Sequence, residues 1–338
     1  MADELMMGID AGTSRVRVLV FEMDGTIVAE GSSEPAVHRP CLGWASTEAE
    51  DLWGSCLKAI KMATAMVDKP NRIRSIAVAS VGEAAVPLDK KGNPLYPIIA
   101  WYDSRTGPQA NWLEKNIGKE RLFEITGLYP YPFFGLCKQM WLRDHENEVY
   151  SKTESWLNTA DFLAWKLCGV PATDFSLASR TFALDIRSLE YAEDLLEEVR
   201  IPVGWYQDLV PSGTYLGPVL TDVAQETGLD KKCSVASGGH DHFVGAISAG
   251  ALKNGTLTDS MGTAESLTVF LDQPLENKGI GALGYTQGVI YVDKPYYYFD
   301  GGFFTSGASV QWFHKMMDHR FSHDELIHAA EKINVGSN

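Results

Sequence analysis

The sequence predicts an α/β layer fold in two domains, and three features predict it. The chain opens as strand, strand, strand, helix and strand, an order that suits layers and not a helical bundle. A glycine-threonine turn between strands occurs twice, as Gly8-Ile9-Asp10-Ala11-Gly12-Thr13-Ser14 and as Leu257-Thr258-Asp259-Ser260-Met261-Gly262-Thr263-Ala264. The length of 338 residues suits two domains, and 45% apolar against 22% charged residues is an ordinary globular balance that can build sizeable cores.

Met6 to Ile9 reads as the first strand. Arg15-Val16-Arg17-Val18 alternates into the apolar Leu19-Val20-Phe21. Asp24-Gly25 is a hairpin turn signal, and Thr26-Ile27-Val28-Ala29 returns as a third strand, giving an antiparallel start. Thr47-Glu48-Ala49-Glu50 has the form of a capping box, and the helix after it repeats apolar residues at Leu52, Cys56, Ile60 and Ala63. Ile73 to Ala79 reads as a buried strand. The middle is helix-rich: Asp161 to Leu167 closes at Gly169, and Tyr191 to Val199 ends before Pro202. After the glycine pair Gly238-Gly239, Phe243 to Ile247 is a further helix. The second turn motif opens just beyond, so the domain boundary is expected near residue 250. Ala308 to Met317 is the last helix expected, ahead of a polar end.

The formal net charge of -15 argues against nucleic acid or an anionic membrane as partner, since both call for basic patches. It leaves room for a nucleotide, whose charge backbone N–H groups and a metal can offset locally. Cys41, Cys56, Cys137, Cys168 and Cys233 are scattered and never spaced as C-x-x-C, which disfavours a zinc site or a disulfide framework. The start is acidic where a signal peptide would be basic, and no apolar run approaches the length of a membrane span. A cytoplasmic protein is expected.

A small-residue turn lets N–H groups and a hydroxyl come close to phosphate oxygens. Two such turns in two halves could grip one polyphosphate from both sides. Three further pieces accompany them: Trp101-Tyr102-Asp103-Ser104-Arg105, Gly238-Gly239-His240-Asp241-His242, and Ser306-Gly307-Ala308-Ser309-Val310-Gln311-Trp312. In this order the pieces resemble the FGGY carbohydrate kinases, which belong with actin, hexokinase and the heat-shock chaperone ATPases. The resemblance runs along essentially the whole chain.

The resemblance implies a ribonuclease-H-like actin-type ATPase fold, with residues 1–249 as an N-terminal domain and 250–338 as the start of a nucleotide-binding domain. It implies ATP and Mg²⁺, with Asp10 near the metal through water. Gly12, Thr13 and Arg17 of the first turn, Gly262 and Thr263 of the second, and Gly307 and Gln311 of the late helix would serve the nucleotide. Asp241 is the candidate general base, since transfer to a hydroxyl needs a carboxylate placed to accept its proton. An N-capping role is its plainer alternative. His240 and His242 are expected to be structural, and His319 and His323 lack a carboxylate-rich frame for a metal.

On the acceptor side the resemblance points to Trp101, Asp103, Arg105, Glu83 and Phe133 around a sugar or polyol, with Asp241 beside the reacting hydroxyl. Indole packs on C–H faces, while carboxylate and guanidinium serve hydroxyls. Arg105 has an alternative role, positioning Asp103 through an ion pair. Three positions depart from glycerol kinases. Gly82-Glu83 stands where they have Arg-Glu, Phe133 where they have Tyr, and Ser266 where they have an aromatic. A larger or differently oriented acceptor is expected. The family continues beyond the point this chain reaches, so a fragment or a truncation is expected. The rival to a kinase is a non-catalytic sugar-sensing relic, and a chaperone-type ATPase would leave Trp101 to Arg105 unexplained. A homodimer is among the assemblies the resemblance allows.

Overall fold

The computed structural model describes residues 4–12, 14–253, 255–262, 264–303 and 305–336, without the side chain of Lys278. Its organising element is a six-stranded mixed sheet. The strands run Tyr215–Pro218, Ser234–His240, Ile73–Ser80, Leu5–Ala11, Val16–Glu22 and Ile27–Ser33 from edge to edge. The three N-terminal strands pair antiparallel, as the Asp24-Gly25 turn predicted. Leu5–Ala11, Ile73–Ser80 and Ser234–His240 run parallel, so their C-terminal ends share one rim. In an open α/β sheet that rim is where ligands bind.

One face of this sheet is strictly apolar. Leu5, Met7, Ile9, Val16, Val18, Val20, Ile76 and Val78 are all nearly inaccessible and pack on the helices Ala49–Ala65, Thr159–Cys168 and Thr221–Thr227. Leu52, Cys56, Ile60 and Ala63 form the buried stripe of the first helix, as their spacing requires. Gly169 closes the Thr159–Cys168 helix in the left-handed conformation.

Two local expectations are corrected. The capping box at Thr47–Glu50 does not form: the N-cap is Glu48 and no side chain caps the helix. Thr47 is instead drawn into a two-residue strand opposite Ile98, which holds its backbone extended one residue too early. The polar end after Met317 contains a helix, His323–Ala330. It does carry a capping box, with Ser322 Oγ taking the Glu325 N–H and the Glu325 carboxylate taking the Ser322 N–H.

A second sheet of four antiparallel strands follows. Its order is Leu257–Met261, Glu265–Leu271, Pro295–Phe303 and Thr286–Tyr291. The helix Asp241–Ser248 precedes it. This sheet packs directly on the first part. Val289 and Tyr297 share a core with Phe175, Ala178, Leu184 and Ile186, and Phe270, Ile290 and Tyr298 share one with Phe243 and Ala246. The Val289 N–H donates to Ser179 Oγ at 2.9 Å and the Gln287 N–H to the Gly127 carbonyl at 2.9 Å. The two sheets thus meet across the helices Phe175–Arg180 and Asp241–Ser248.

Candidate functional site

Between the sheets lies a cavity of about 320 Å³ at the C-terminal rim. Its walls come from both halves: Glu83, Trp101, Phe133, Arg180 and Asp241 on one side, Ser266 and Asp300 on the other.

Glu83 follows the Ile73–Ser80 strand and is buried, with only 7% of its surface exposed. The sequence gives it no adjacent basic partner, because its neighbours are Gly82 and Ala84. The fold supplies one from elsewhere. Arg180, the last residue of the helix Phe175–Arg180, directs Nε and a terminal nitrogen to Glu83 Oε1 at 2.6 Å each. Burial alone would raise the Glu83 carboxyl, but the Arg180 charge, with His240 and Lys138 behind it, outweighs burial and holds it below the usual carboxylate range. A side chain at 82 would collide with the His240 ring and approach Arg180 Cγ at 2.8 Å. The missing side chain is therefore the room in which Arg180 and His240 sit. Sequence reading passed over Arg180. Its signal was the bare Glu83, a buried charge that demanded a partner.

The other two departures are likewise refilled in space. Tyr131 stacks on Phe133 with ring centres 5.5 Å apart, and both line the cavity, so a tyrosine enters it two residues before the expected place. Ser266 donates to Asp300 Oδ1 at 2.5 Å and Thr268 to the same oxygen at 2.7 Å, while Phe303 brings an aromatic ring to the wall.

Trp101 lines the cavity, but the structure does not bring Asp103 and Arg105 there. Both are buried against each other. Asp103 Oδ1 accepts from the N–H and Nε of Arg105 at 2.9 and 3.0 Å, and Oδ2 accepts from Arg105 at 2.8 Å and from the Ala45 N–H at 2.6 Å. The guanidinium lies 4.0 Å from the Trp44 ring centre. Direct contact with an acceptor is therefore corrected to the alternative role, a staple holding the Trp101 turn. Lys138 acts similarly. Its buried ammonium donates to the carbonyls of Glu83 at 2.5 Å and of Ile99 and Ala100 at 3.1 Å, tying the segment after the Ile73–Ser80 strand to the one that leads into Trp101. Burial pushes it down to about 8, against the raising effect of Glu83 and Asp103.

Asp241 is the first residue of the helix Asp241–Ser248, and the N-cap is His240, not Asp241. Its helix starts where it does because the preceding strand is held hard against its neighbour. A side chain at Gly238 would collide with the Val78 carbonyl, and the ladder slips register between Ala236 and Gly239. The His240 N–H donates to Ser176 Oγ at 2.9 Å, and that hydroxyl donates to the buried Asp174 at 2.7 Å. Burial favours the protonated Asp241 carboxyl, but His240 and His242 beside it overcome this and hold it at about 2. Asp241 is thus an ionised carboxylate at neutral pH with one edge open to the cavity.

Asp10, Gly12, Arg17, Gly262, Gly307 and Gln311 lie outside this cavity. Asp10 and Arg17 are exposed, Gly12 half-buried, and Asp10 and Arg17 border a cleft of about 280 Å³ along the open sheet face with Gly238. Although Asp10 is accessible to solvent, the atoms packed around it desolvate its carboxyl in part; that loss and the charge of Asp241 raise it, with Arg17 opposing. Asp10 and Asp241 therefore feel each other. The two turns have related hydrogen bonding: the Gly12 N–H reaches the Arg15 carbonyl at 3.1 Å and the Gly262 N–H the Ala264 carbonyl at 2.8 Å. The Gly307 N–H donates to the Gly262 carbonyl at 2.9 Å, joining the helix Gly307–Met316 to the second turn. Gln311 is exposed on that helix. Thr13 and Thr263 lie outside the described residues. Among the described residues no His, Cys, Asp or Glu group has the form of a metal centre, and no helix is long and apolar enough to cross a membrane.

Two sheets packed about a cleft, the first rimmed by a glycine turn and the second by its counterpart, make this the α/β fold of the actin-type ATPases. A ligand-bound xylulose kinase from Lactobacillus acidophilus superimposes with a TM-score of 0.91 at 19% identity, covering 98% of this chain and 66% of that one. Residues 5–248 match the N-terminal domain of the FGGY family of carbohydrate kinases, and the chain belongs to that family. It is 28% identical to a xylulose kinase of Bacillus subtilis over 334 residues, 98% of this chain and 66% of that protein. It is 29% identical to a glycerol kinase of Saccharolobus islandicus over 321 residues, 93% of this chain and 62% of that one. The chain thus spans just under two thirds of the length of the curated relatives it matches.

Proposed function

We propose that the protein transfers the γ-phosphoryl group of ATP to a hydroxyl of a neutral sugar or polyol. On this reading residues 1–249 bind the acceptor and residues 250–338 begin the nucleotide-binding domain. The observation that carries it is the cavity in which the ionised Asp241 faces the Glu83–Arg180 pair, with walls drawn from both sheets.

Trp101, Tyr131 and Phe133 give the acceptor apolar faces to lie on, while Glu83, Arg180 and Asp300 meet its hydroxyls. Asp241 takes the proton of the attacking hydroxyl. The new bond joins that oxygen to the γ-phosphorus, the bond to the β–γ bridging oxygen breaks, and its electron pair leaves with ADP. The triphosphate lies between Gly12 and Arg17 on one side and Gly262, Gly307 and Gln311 on the other. Asp10 would hold Mg²⁺ through water, and the metal supplies neutralisation of phosphate charge. The donor set fits, since Asp10 and Asp241 raise each other's energy when both are charged and a hydrated divalent cation relieves that repulsion.

The cavity wall carries Glu83, Asp241, Glu265 and Asp300 against the single guanidinium of Arg180. That excess of carboxylates favours a neutral acceptor over a sugar acid. The test is acceptor-dependent ADP release from Mg²⁺-ATP with pentuloses, hexoses, polyols and sugar acids. Turnover with one neutral acceptor, abolished in a folded Asp241→Asn variant, supports the reading. Turnover that survives Asp241→Asn refutes the base.

A further inference from the structure

His240 stands between the two carboxylates on which the proposed reaction depends. Its Nδ1 is 3.0 Å from Asp241 Oδ1, and its Nε2 is 4.0 Å from Glu83 Oε1. The ring is buried, 6% exposed, at the edge of the cavity. Phe243 packs on one face with ring centres 4.6 Å apart. Gly82 leaves room for the other edge, and its Cβ position is 2.9 Å from Nε2. The main chain is pinned through Ser176 to Asp174. The His242 N–H is shared: it reaches Asp241 Oδ1 at 2.8 Å and His240 Nδ1 at 3.2 Å, so the ring caps the helix as well as standing against the base. Oδ1 is therefore fully engaged, and Oδ2 is the oxygen left for a substrate proton.

We propose that His240 is a positioning residue for phosphoryl transfer: its imidazole, wedged between the acceptor carboxylate Glu83 and the base Asp241, braces Oδ1 of the base and leaves Oδ2 for the bound hydroxyl. The inference rests on the kinase reading above. A histidine here does what Gly82 makes possible. The small residue at 82 and the ring at 240 are one device, because a side chain at 82 takes the ring's place. Acceptor and base are thereby set in register before ATP arrives, which is where misplacement of about 1 Å is expensive, about a hundredfold in rate.

The experiment compares steady-state kinetics of the wild type, Asp241→Asn, His240→Ser, His240→Asn and Gly82→Ala, each checked for folding by circular dichroism. Serine keeps a helix N-cap but is too short to reach Asp241. Asparagine keeps the cap and returns an N–H near the Nδ1 position. The expected result is a kcat about ten- to a hundredfold lower in His240→Ser, with the acceptor KM within about threefold, and recovery of most of the loss in His240→Asn. Gly82→Ala, which displaces the ring without altering it, lowers kcat as well and stands in should the serine variant not fold. A wild-type kcat in both His240→Ser and Gly82→Ala, beside a dead Asp241→Asn, overturns the positioning role alone. A loss confined to KM, or no recovery by asparagine, also overturns it. If the wild type releases no ADP with any acceptor, or Asp241→Asn stays active, the kinase reading itself falls and takes this inference with it.

Discussion

Removing Arg180 isolates the buried Glu83 carboxylate, and the consequence can be worked out from the geometry. Both partners are nearly inaccessible, with side-chain exposures of 10% and 7%, and two guanidinium nitrogens reach one oxygen at 2.6 Å. The other groups near Glu83 are the His240 ring, 4.0 Å away, and Lys138, whose ammonium is spent on the Glu83 main-chain carbonyl and two others. Breaking such a pair from one side costs about 3–5 kcal/mol, because the orphaned charge stays desolvated. Arg180→Met is therefore expected to lose a large part of the 5–15 kcal/mol typical of a folded domain, lowering the urea midpoint by roughly 1 M or more. Glu83→Gln removes the nearest anion from the guanidinium, leaving it the Thr286 hydroxyl and the charge of Asp300, and should cost somewhat less. The double variant Glu83→Gln/Arg180→Met should recover about 1–3 kcal/mol of the summed loss, since no lone charge remains. Urea unfolding followed by tryptophan fluorescence reads all three. Additive losses would refute the pairing. A midpoint unmoved in Arg180→Met would refute the burial argument altogether.

Three other outcomes are expected. Asp241 is held at about 2, below its unfolded value, so its ionised form stabilises the fold fully above about pH 4 and that contribution is lost as pH falls toward 2; the stability gap between wild type and Asp241→Asn, followed by unfolding from pH 6 to 2, should change only in that acid window. Lys138 is pushed down to about 8 from an unfolded value near 10.5, so the unfolded chain binds the extra proton between those limits and stability gained from this group rises with pH across them; Lys138→Met should abolish that slope in melts between pH 7 and 10.5. Among acceptors, aldonates should show kcat/KM at least about tenfold below neutral sugars of the same chain length, through repulsion by Glu83, Asp241 and Asp300, and preference for an aldonate would refute the charge argument.

Much of this molecule was legible in order of sequence. Leu52, Cys56, Ile60 and Ala63 announced a helix face and Asp24-Gly25 a hairpin, because each depends only on neighbours a few residues away. Where local rules competed with long-range pairing they failed. Thr47 had the right residues for a cap and lost them to a strand opposite Ile98, whereas Ser322, with no such rival, capped its helix. The cavity lining divided the same way. Glu83, Trp101 and Phe133 were named from motifs and do line the cavity, while Asp103 and Arg105 belonged to the same motif and face each other in the core.

The sequence by itself determined the order of strands and helices, the two glycine turns and the carboxylates available for chemistry. Those follow from periodicity, turn residues and side-chain type, all properties of short stretches of chain. Only the tertiary structure decided which charges meet. Arg180 lies 97 residues from Glu83 and Thr286 lies 106 from Arg180, yet the helix Phe175–Arg180 and the two sheets bring them together. The reason is physical: a buried carboxylate must find a cation, but burial is settled by how sheets and helices pack, and packing brings together residues that no local pattern connects.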